Sequence, residues 1–193
     1  IAVEDVDILI IGAGASGAAA AWSLSETNLR IMCIEQGDRM EASDYPSTKR
    51  NWEVLQQQGY NVSPNVRKLA ADYPINDKDS PIAIANFNGV GGGTILYSAH
   101  FPRFHPSDFK VRSLDGVADD WPFSYEELLP DLETVEREVG VSGLPGNPAY
   151  PPKMSYPTPP LPIGKVGSKA AECMDKMGWH WWPGTNAIPS LPY

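Results

Sequence analysis

Apolar and small residues form distinct blocks near the start of the chain. Residues 6–11 (VDILII) form a mostly apolar run that is continuous rather than alternating, which is typical of a strand buried on both faces of a parallel sheet. Residues 16–24 (SGAAAAWSL) are rich in alanine and favour a helix, and residues 29–34 (LRIMCI) form a second apolar run. This succession predicts a strand, a helix and a second strand, which is a βαβ unit.

A helical period returns in the second half of the chain. Ser124 and Glu127 have the spacing of a capping box at the start of a helix predicted over residues 124–138, which Pro130 kinks or restarts. The apolar positions that recur at helical spacing, and that we expect in the core, are Leu128, Leu132, Val135 and Val139. Shorter helices are predicted over residues 49–59 and 167–177.

Two other segments of the second half have unusual composition. Residues 144–162 contain eight prolines and favour an extended strap over a packed element. Residues 179–184 (WHWWPG) hold three tryptophans, which could stack on a sugar or fill the core. We expect them in the core.

The turn after the first predicted strand has the sequence GAGASG, and its glycines have separate physical roles. Gly12 permits a tight turn, Gly14 lets a pyrophosphate approach the backbone, and Gly17 allows the helix to pack closely on the strand. The N–H groups at the start of the helix then face the phosphates. Glu35 ends the second strand, where its carboxylate can accept hydrogen bonds from both ribose hydroxyls of an adenosine.

These features predict dinucleotide binding. The alternative is a purely structural turn. The motif does not choose between FAD and NAD, because both cofactors share the adenosine half.

A second glycine-rich segment follows at residues 86–104, NFNGVGGGTILYSAHFPRF. Its glycines, Gly89 and residues 91–93, indicate backbone that turns sharply or lies against a flat, rigid object. A structural bend is the alternative. In a chain that already has a dinucleotide motif, this loop suggests contact with the other end of the same cofactor.

Composition and charge narrow the functional classes. The 193 residues include 42% hydrophobic residues and a net charge of −9, so the chain is a folded protein and a poor candidate for binding nucleic acid. Residues 115–140 hold nine acids and one base, as expected of a solvated helix face. Residues 8–24 have no charge, but acidic residues precede them and glycines interrupt them, so we do not predict a membrane span.

The cysteines and histidines do not indicate a metal site. Cys33 and Cys173 are too few for a disulfide framework, and Cys33 lies in an apolar strand-like run, where a buried thiol is expected. The three histidines have neither ligand-pair spacing nor a CxxC motif beside them. No Ser-His-Asp elbow, phosphate-loop lysine or paired acid supports a hydrolase or a kinase.

Three segments together resemble the N-terminal part of the glucose-methanol-choline (GMC) flavoprotein oxidoreductases. They are GAGASG with Glu35, NGVGGGT leading into a strand, and DWPFSYEELLP at residues 120–130. They look closest to the branch of pyranose oxidases and bacterial sugar dehydrogenase flavoproteins. The resemblance implies an α/β fold with a Rossmann-like FAD-binding βαβ core and extended loops, which is incomplete without later sequence.

The resemblance also implies a division into domains. Residues 1–112 are expected to form the N-terminal part of an FAD-binding domain. Residues 113–193 are expected to supply a helix, the proline-rich strap and the start of a substrate domain.

The implied cofactor is noncovalent FAD. Pyranose oxidases attach the flavin to a histidine soon after the second loop, and Leu96 stands at that position here. The expected cofactor-binding residues are Gly12, Gly14, Ala15, Ser16, Gly17, Glu35, Gln36, Gly91, Gly92, Thr94, Tyr97, Ser98, Ala99 and His100. Arg103 is expected on a phosphate or on the loop backbone, with the alternative that it and His100 are ordinary structural or surface residues.

The resemblance implies oxidation of a hydroxyl of a sugar or another alcohol by hydride transfer to the flavin. In the family the catalytic base is a histidine near the C-terminus, so no catalytic residue is named in this chain. The expected partners are the remaining C-terminal polypeptide, continuous or as a separate chain, and a small sugar or alcohol substrate. An NAD-dependent dehydrogenase domain and a noncatalytic nucleotide-binding module remain the alternatives.

Overall fold

A computed structural model describes residues 5–44, 49–56, 59–72, 75–153 and 155–193. Contacts divide the chain into two compact units, Ile1–Ser98 and Ala99–Tyr193, and each is described by itself. The predicted boundary after residue 112 concerns the domains of the complete protein and stays a prediction.

The first unit begins with the predicted βαβ arrangement. Strand β1 (Ile8–Ile11) is followed by helix α1 (Ala15–Leu24) and strand β2 (Ile31–Ile34). The two strands are parallel, with Ile8 opposite Ile31 and Ile11 opposite Ile34. Parallel neighbours require a crossover between them, and α1 supplies it. The α/β fold class predicted from the sequence is confirmed.

The sheet surfaces of this unit are largely exposed. Among the described residues the sheet has two strands, and Ile11 remains 80% exposed and Ile34 46% exposed. The expectation that Cys33 is buried was wrong, since its side chain is exposed on this two-stranded sheet. Helix α1 likewise has no buried residue. The apolar side chains of this βαβ unit therefore lack most of the cover that such residues have in a finished domain.

The rest of the first unit is irregular. Helices α2 (Trp52–Gln56) and α3 (Pro64–Arg67) are short, and part of the segment predicted as a helix over residues 49–59 lies outside the described residues. The strand expected after NGVGGGT is not formed, since a 3₁₀ turn occupies Gly92–Ile95. The N–H groups of Leu96 and Tyr97 both bond the carbonyl of Gly93, so this backbone is satisfied locally and not by a neighbouring strand.

The second unit contains three helices among its described residues: α4 (Val111–Asp115), α5 (Tyr125–Val139) and α6 (Gly164–Met177). The predicted capping box is confirmed at the start of α5. The Ser124 hydroxyl accepts from the Glu127 N–H at 3.2 Å, and the Glu127 carboxylate accepts from the Ser124 N–H at 2.7 Å. The helix continues through Pro130 and ends at Gly140, whose φ of 73° is left-handed.

Burial along α5 differs from the prediction. Tyr125 and Glu136 are the buried residues of this helix, whereas Val135 and Val139 are 40% and 38% exposed. Helix α5 packs against the second unit through the face that bears Glu136, since Arg103 and Lys153 both pair with the Glu136 carboxylate. The apolar stripe expected in the core therefore lies partly at the surface.

The proline-rich strap passes close to the centre of the second unit. Residues 144–162 contain no helix or strand among their described members, as predicted. Isolated bridges join Ser142 to Thr158 and to Asn186, and Ser142 and Val141 are fully buried. Irregular segments therefore contribute to the small core of this unit, together with Tyr125 of α5 and Ala171 of α6.

The tryptophans of residues 179–184 do not form a core, contrary to expectation. Trp179 is 61% exposed, and Trp181 and Trp182 are half-buried. The indole N–H of Trp181 donates to Asp175 at 2.8 Å, and that of Trp182 donates to the carbonyl of Leu144 at 2.9 Å. These polar contacts keep the rings at the surface. Within the described ranges, every helix is too short or too polar to cross a membrane.

Candidate cofactor site

The two glycine-rich loops of the first unit lie against each other. The N–H of Gly91 donates to the carbonyl of Ala13 at 2.8 Å, and Gly14 and Gly91 form a parallel bridge. A Cβ added to Gly92 would lie 3.1 Å from the Cα of Gly14, which is tighter than ordinary contact. Absence of side chains at both positions is what lets the two backbones approach so closely.

The start of α1 is open to an anion. Gly14 precedes the helix and caps it with no side chain, and no acidic residue lies in the first turn. The first helical bond runs from the Ala18 N–H to the Gly14 carbonyl at 2.9 Å, so the N–H groups of residues 15–17 have no partner within the helix. Unpaired donors at the positive end of a helix dipole suit a phosphate group.

Glu35 lies directly after β2 and beside this helix start. Its carboxylate accepts a hydrogen bond from the Ala13 N–H at 2.7 Å and another from the Gly37 N–H at 3.0 Å. The bond from Gly37, followed by that from Ala13, lowers the pKa of Glu35 below its usual value, so the side chain is an anion at neutral pH. Each carboxylate oxygen keeps a further lone pair, and it can still accept from hydroxyl groups.

A cleft of about 390 Å³ opens at the carboxyl ends of β1 and β2. Its lining consists of Ile11, Gly12, Ile34, Glu35, Gln36, Phe87 and Asn88. Ligands of open α/β sheets bind at this edge of the strands. The apolar walls and the single anion are chemically suited to an adenosine, whose base is flat and whose ribose offers two hydroxyls.

The remaining predicted residues fall into two groups. Thr94 belongs to the second loop, where its hydroxyl donates to the Gly91 carbonyl at 2.6 Å, and Tyr97 is 45% exposed. Ala99 and His100 begin the second unit, where the Ala99 carbonyl accepts from the Ala187 N–H at 2.8 Å. The structure thus brings residues 12–17, 35, 36, 91, 92 and 94 to one part of the first unit. The cofactor-binding roles of all the predicted residues stay predictions.

Arg103 has a different position from the one expected. Its Nε and Nη2 atoms donate to the two carboxylate oxygens of Glu136 at 2.7 and 2.8 Å, and its Nη1 donates to the Tyr125 hydroxyl at 3.0 Å. Lys153 donates to the same carboxylate. Burial alone raises the pKa of Glu136, but the bonds from Arg103 and Lys153 outweigh it and lower the pKa. Arg103 is therefore part of a buried ion cluster in the second unit.

Five residues that contribute to the site were not named as site residues from the sequence: Ile11, Ala13, Ile34, Phe87 and Asn88. Ala13 supplies backbone to both Glu35 and Gly91, while Phe87 and Asn88 form one side of the cleft. The signal for Phe87 and Asn88 was their position near the start of the second glycine-rich segment. In the part of the chain that the structure describes, no group of three histidine, cysteine or acidic side chains could hold a metal ion.

Comparison with known proteins agrees with this geometry. Residues 10–72 match the family described as NAD(P)-binding Rossmann-like domain. The chain is 38% identical over 192 residues to 2-methyl-1,2-propanediol dehydrogenase of Mycolicibacterium austroafricanum, covering 98% of this chain and 34% of that protein. It is 29% identical to the fructose dehydrogenase large subunit of Gluconobacter japonicus, covering 97% and 37%.

A solved structure shows the same fold. The crystal structure of pyridoxine 4-oxidase from Mesorbium loti superposes with a TM-score of 0.59 at 22% identity, covering 96% of this chain and 37% of that one. The chain spans about a third of the length of the relatives it matches.

The βαβ unit, the open helix start and the carboxylate after β2 are features of a Rossmann-like nucleotide-binding domain. The two named relatives are dehydrogenases and the solved structure is an oxidase, and each matches nearly the whole of this chain. The homologues of this chain are oxidoreductases of the glucose-methanol-choline family, and the chain corresponds to their N-terminal portion. The resemblance noted in the sequence is thereby confirmed.

Proposed function

We propose that this chain is the FAD-binding N-terminal portion of an oxidoreductase that oxidises a hydroxyl of a sugar or another alcohol. The observation that carries the proposal is the contact between the two glycine loops, made by Gly91 and Ala13, beside the open start of α1. The named relatives, one a diol dehydrogenase and another a subunit of fructose dehydrogenase, support an alcohol or sugar substrate.

The residues of the first unit fit the adenosine and pyrophosphate parts of FAD. Residues 12–17 would hold the pyrophosphate through backbone N–H groups, and Glu35 would accept hydrogen bonds from the ribose. Residues 91, 92 and 94 would lie along the same cofactor. Bound FAD would supply an acceptor for two electrons. The chain's own residues bind and orient the cofactor, and the base that takes the hydroxyl proton is proposed to lie outside this chain.

Two observations favour FAD over a nicotinamide cofactor and noncovalent over covalent attachment. A second glycine loop packed on the first is more than the adenosine half of a cofactor requires, and it suits a longer ligand. Leu96 follows this loop as an aliphatic side chain that cannot form a bond to flavin. We therefore propose that the flavin is held without a covalent link.

The remaining polypeptide is the proposed partner of the exposed sheet. The relatives continue well beyond the matched region, and Leu9 and Ile11 of β1 are 50% and 80% exposed. Apolar strands of a parallel sheet are normally covered on both faces. We propose that later sequence covers β1 and β2, either as part of the same chain or as a separate polypeptide.

The test uses the complete protein, with this chain and its remaining polypeptide. Visible absorption is recorded before and after the addition of a panel of sugars and simple alcohols. Flavin bands that bleach with one of these compounds support the proposal. Binding of a nicotinamide cofactor without flavin, or flavin that no alcohol reduces, would contradict it. Acid precipitation of the loaded protein then tests attachment, since noncovalent flavin stays in the supernatant.

A further inference from the structure

We infer that Arg67 and Asp72 are positioning residues for the cofactor cleft, because they hold residues 86–88, of which Phe87 and Asn88 form one of its walls. The inference rests on the proposed function, since it concerns the same cleft. Neither side chain lines the cleft, and neither was singled out by the sequence.

Arg67 and Asp72 form a buried pair in the first unit. The Arg67 Nε and Nη2 atoms donate to the two oxygens of Asp72 at 3.0 and 2.5 Å. The exposed fractions of the two side chains are 0% and 4%. A bidentate pair of this kind fixes the plane and the direction of the guanidinium as well as its distance from the carboxylate.

The Arg67 guanidinium also contacts the segment that forms the cleft wall. Its Nη1 donates to the carbonyl of Asn86 at 3.0 Å and to that of Asn61 at 2.7 Å. The ring of Phe87 lies under it, with 5.0 Å between the Arg67 Cζ and the ring centroid. Phe87 is 7% exposed and lines the cleft. One side chain therefore sets the position of the wall residue Phe87 and of Asn86 directly before it.

Asp72 holds Asn88, the second wall residue. The Asn88 side-chain amide donates to Asp72 Oδ1 and to the Ala71 carbonyl, both at 3.3 Å. The Ala71 carbonyl also accepts from the side chain of Gln36 at 2.9 Å. Asn88 and Gln36, which face the same cleft, are thus tied to one short segment next to Asp72.

The segment that contains the wall residues packs against the backbone that follows Glu35. A Cβ on Gly37 would lie 2.1 Å from the Asn88 carbonyl oxygen, so the two backbones are already in direct contact. The Val90 N–H donates to the carbonyl of Asp38 at 3.2 Å. A shift of residues 86–88 would therefore change both the cleft beside Glu35 and the entry into the second glycine loop.

The alternative is that the buried pair of Arg67 and Asp72 only stabilises the folded protein. The chain contains a control that tests this alternative. Arg103 and Glu136 in the second unit form a pair that is similarly buried, with side chains 9% and 3% exposed, and it holds no residue of the cleft. Lysine keeps the positive charge of arginine but cannot make the two-pronged bond. Arg67→Lys and Arg103→Lys are accordingly matched variants.

The experiment uses the complete flavoprotein. FAD is titrated into the cofactor-free form of each variant, binding is followed by flavin fluorescence, and thermal unfolding is measured on the same samples. Circular dichroism in the flavin bands reports the environment of the bound cofactor. Loss of the bonds from Arg67 to the wall predicts FAD binding weakened by about tenfold or more in Arg67→Lys, with an altered flavin dichroism. Arg103→Lys is expected to lower the unfolding temperature and to leave both cofactor readouts unchanged.

The outcomes separate this inference from the proposed function. A wild-type protein that binds no FAD would overturn the proposed function. A wild-type protein that binds FAD together with an Arg67→Lys variant that binds it equally well, with the same dichroism, would overturn the inference alone. If Arg67→Lys does not fold, Asp72→Asn replaces it, and failure of both variants to fold would assign the pair to stability and also overturn the inference.

Discussion

A Cβ added to Gly17 would lie 2.0 Å from the carbonyl oxygen of Gly12. Helix α1 therefore leaves the turn after β1 at a distance that only glycine permits. The same hypothetical atom would lie 3.2 Å from Cγ2 of Ile10, so the contact involves both the turn and the strand. The third glycine of the motif is thus a packing residue, as the sequence predicted.

Replacing this glycine is expected to move the helix start. Gly17→Ala forces the backbone of α1 away from Gly12, and overpacking of this kind destabilises by about 1–3 kcal/mol. Because the phosphate-facing N–H groups move with the helix, FAD binding by the complete protein should weaken as well. Gly184→Ala is the control, since no atom lies within 4 Å of a Cβ at that position. Titration with FAD and thermal unfolding measure the two effects, and equal behaviour of the two variants would contradict the argument.

Glu35→Gln is expected to weaken both the turn and the binding of FAD. The carboxylate accepts from the N–H groups of Ala13 and Gly37, and the amide of glutamine turns one acceptor into a donor that opposes an N–H. Loss of a charged hydrogen bond costs about 1.5–3 kcal/mol, which is more than tenfold in affinity if it falls on binding.

Flavin fluorescence measures this affinity in the complete protein. Glu26→Gln removes the same charge from an exposed position outside the site and serves as the control. Unchanged FAD affinity in Glu35→Gln would show that this carboxylate does not contact the ribose.

The sequence predicted those features that depend on neighbours along the chain. The βαβ unit and the capping box of Ser124 and Glu127 follow from local spacing, and both are present. The expectations for Cys33 and Val135 failed because burial depends on which elements come to cover a surface. Local pattern does not contain that information.

In the candidate site, too, local features could be predicted and long-range contacts could not. The residues of the first glycine motif and Glu35 were predicted, since their spacing is set by a strand, a turn and a helix. The pair of Arg67 and Asp72 was missed because its bonds reach residues 86–88, far along the chain. For Arg103 the sequence left open a phosphate or loop contact and an ordinary structural role. The structural role is the one observed, and its partner Glu136 could not be predicted because it lies in a helix that no motif connects to Arg103.

Ser124→Ala is expected to destabilise the second unit by about 1 kcal/mol. The substitution removes the hydroxyl that accepts from the Glu127 N–H at the start of α5. Ser107→Ala is a suitable control, because the Ser107 side chain is exposed and takes no part in the hydrogen bonds that cap α5. Thermal unfolding distinguishes the two variants, and an equal loss in both would argue against the capping box as a source of stability.

Acid is expected to destabilise the second unit through Glu136. Its pKa in the folded protein lies below the usual 4.5, so the carboxylate contributes stability above about pH 4.5 and loses it as the pH falls through the folded pKa. Glu136→Gln leaves Arg103 and Lys153 without their anion and should cost about 3–5 kcal/mol at neutral pH.

The measurement is unfolding temperature against pH for both proteins. The difference between wild type and Glu136→Gln should be constant above pH 5 and shrink in more acidic solution. A difference that does not change with pH would show that the charge of Glu136 is not what stabilises the cluster.

The exposed apolar strands also bear on how the protein is made. If later sequence covers β1 and β2 as proposed, these strands leave the ribosome well before the residues that cover them. During that interval Ile11 and Ile34 would present an open hydrophobic surface, and such surfaces attract chaperones and aggregate. Synthesis that slows in the second third of the message would lengthen this interval and lower the yield of folded flavoprotein, without any change in the finished structure.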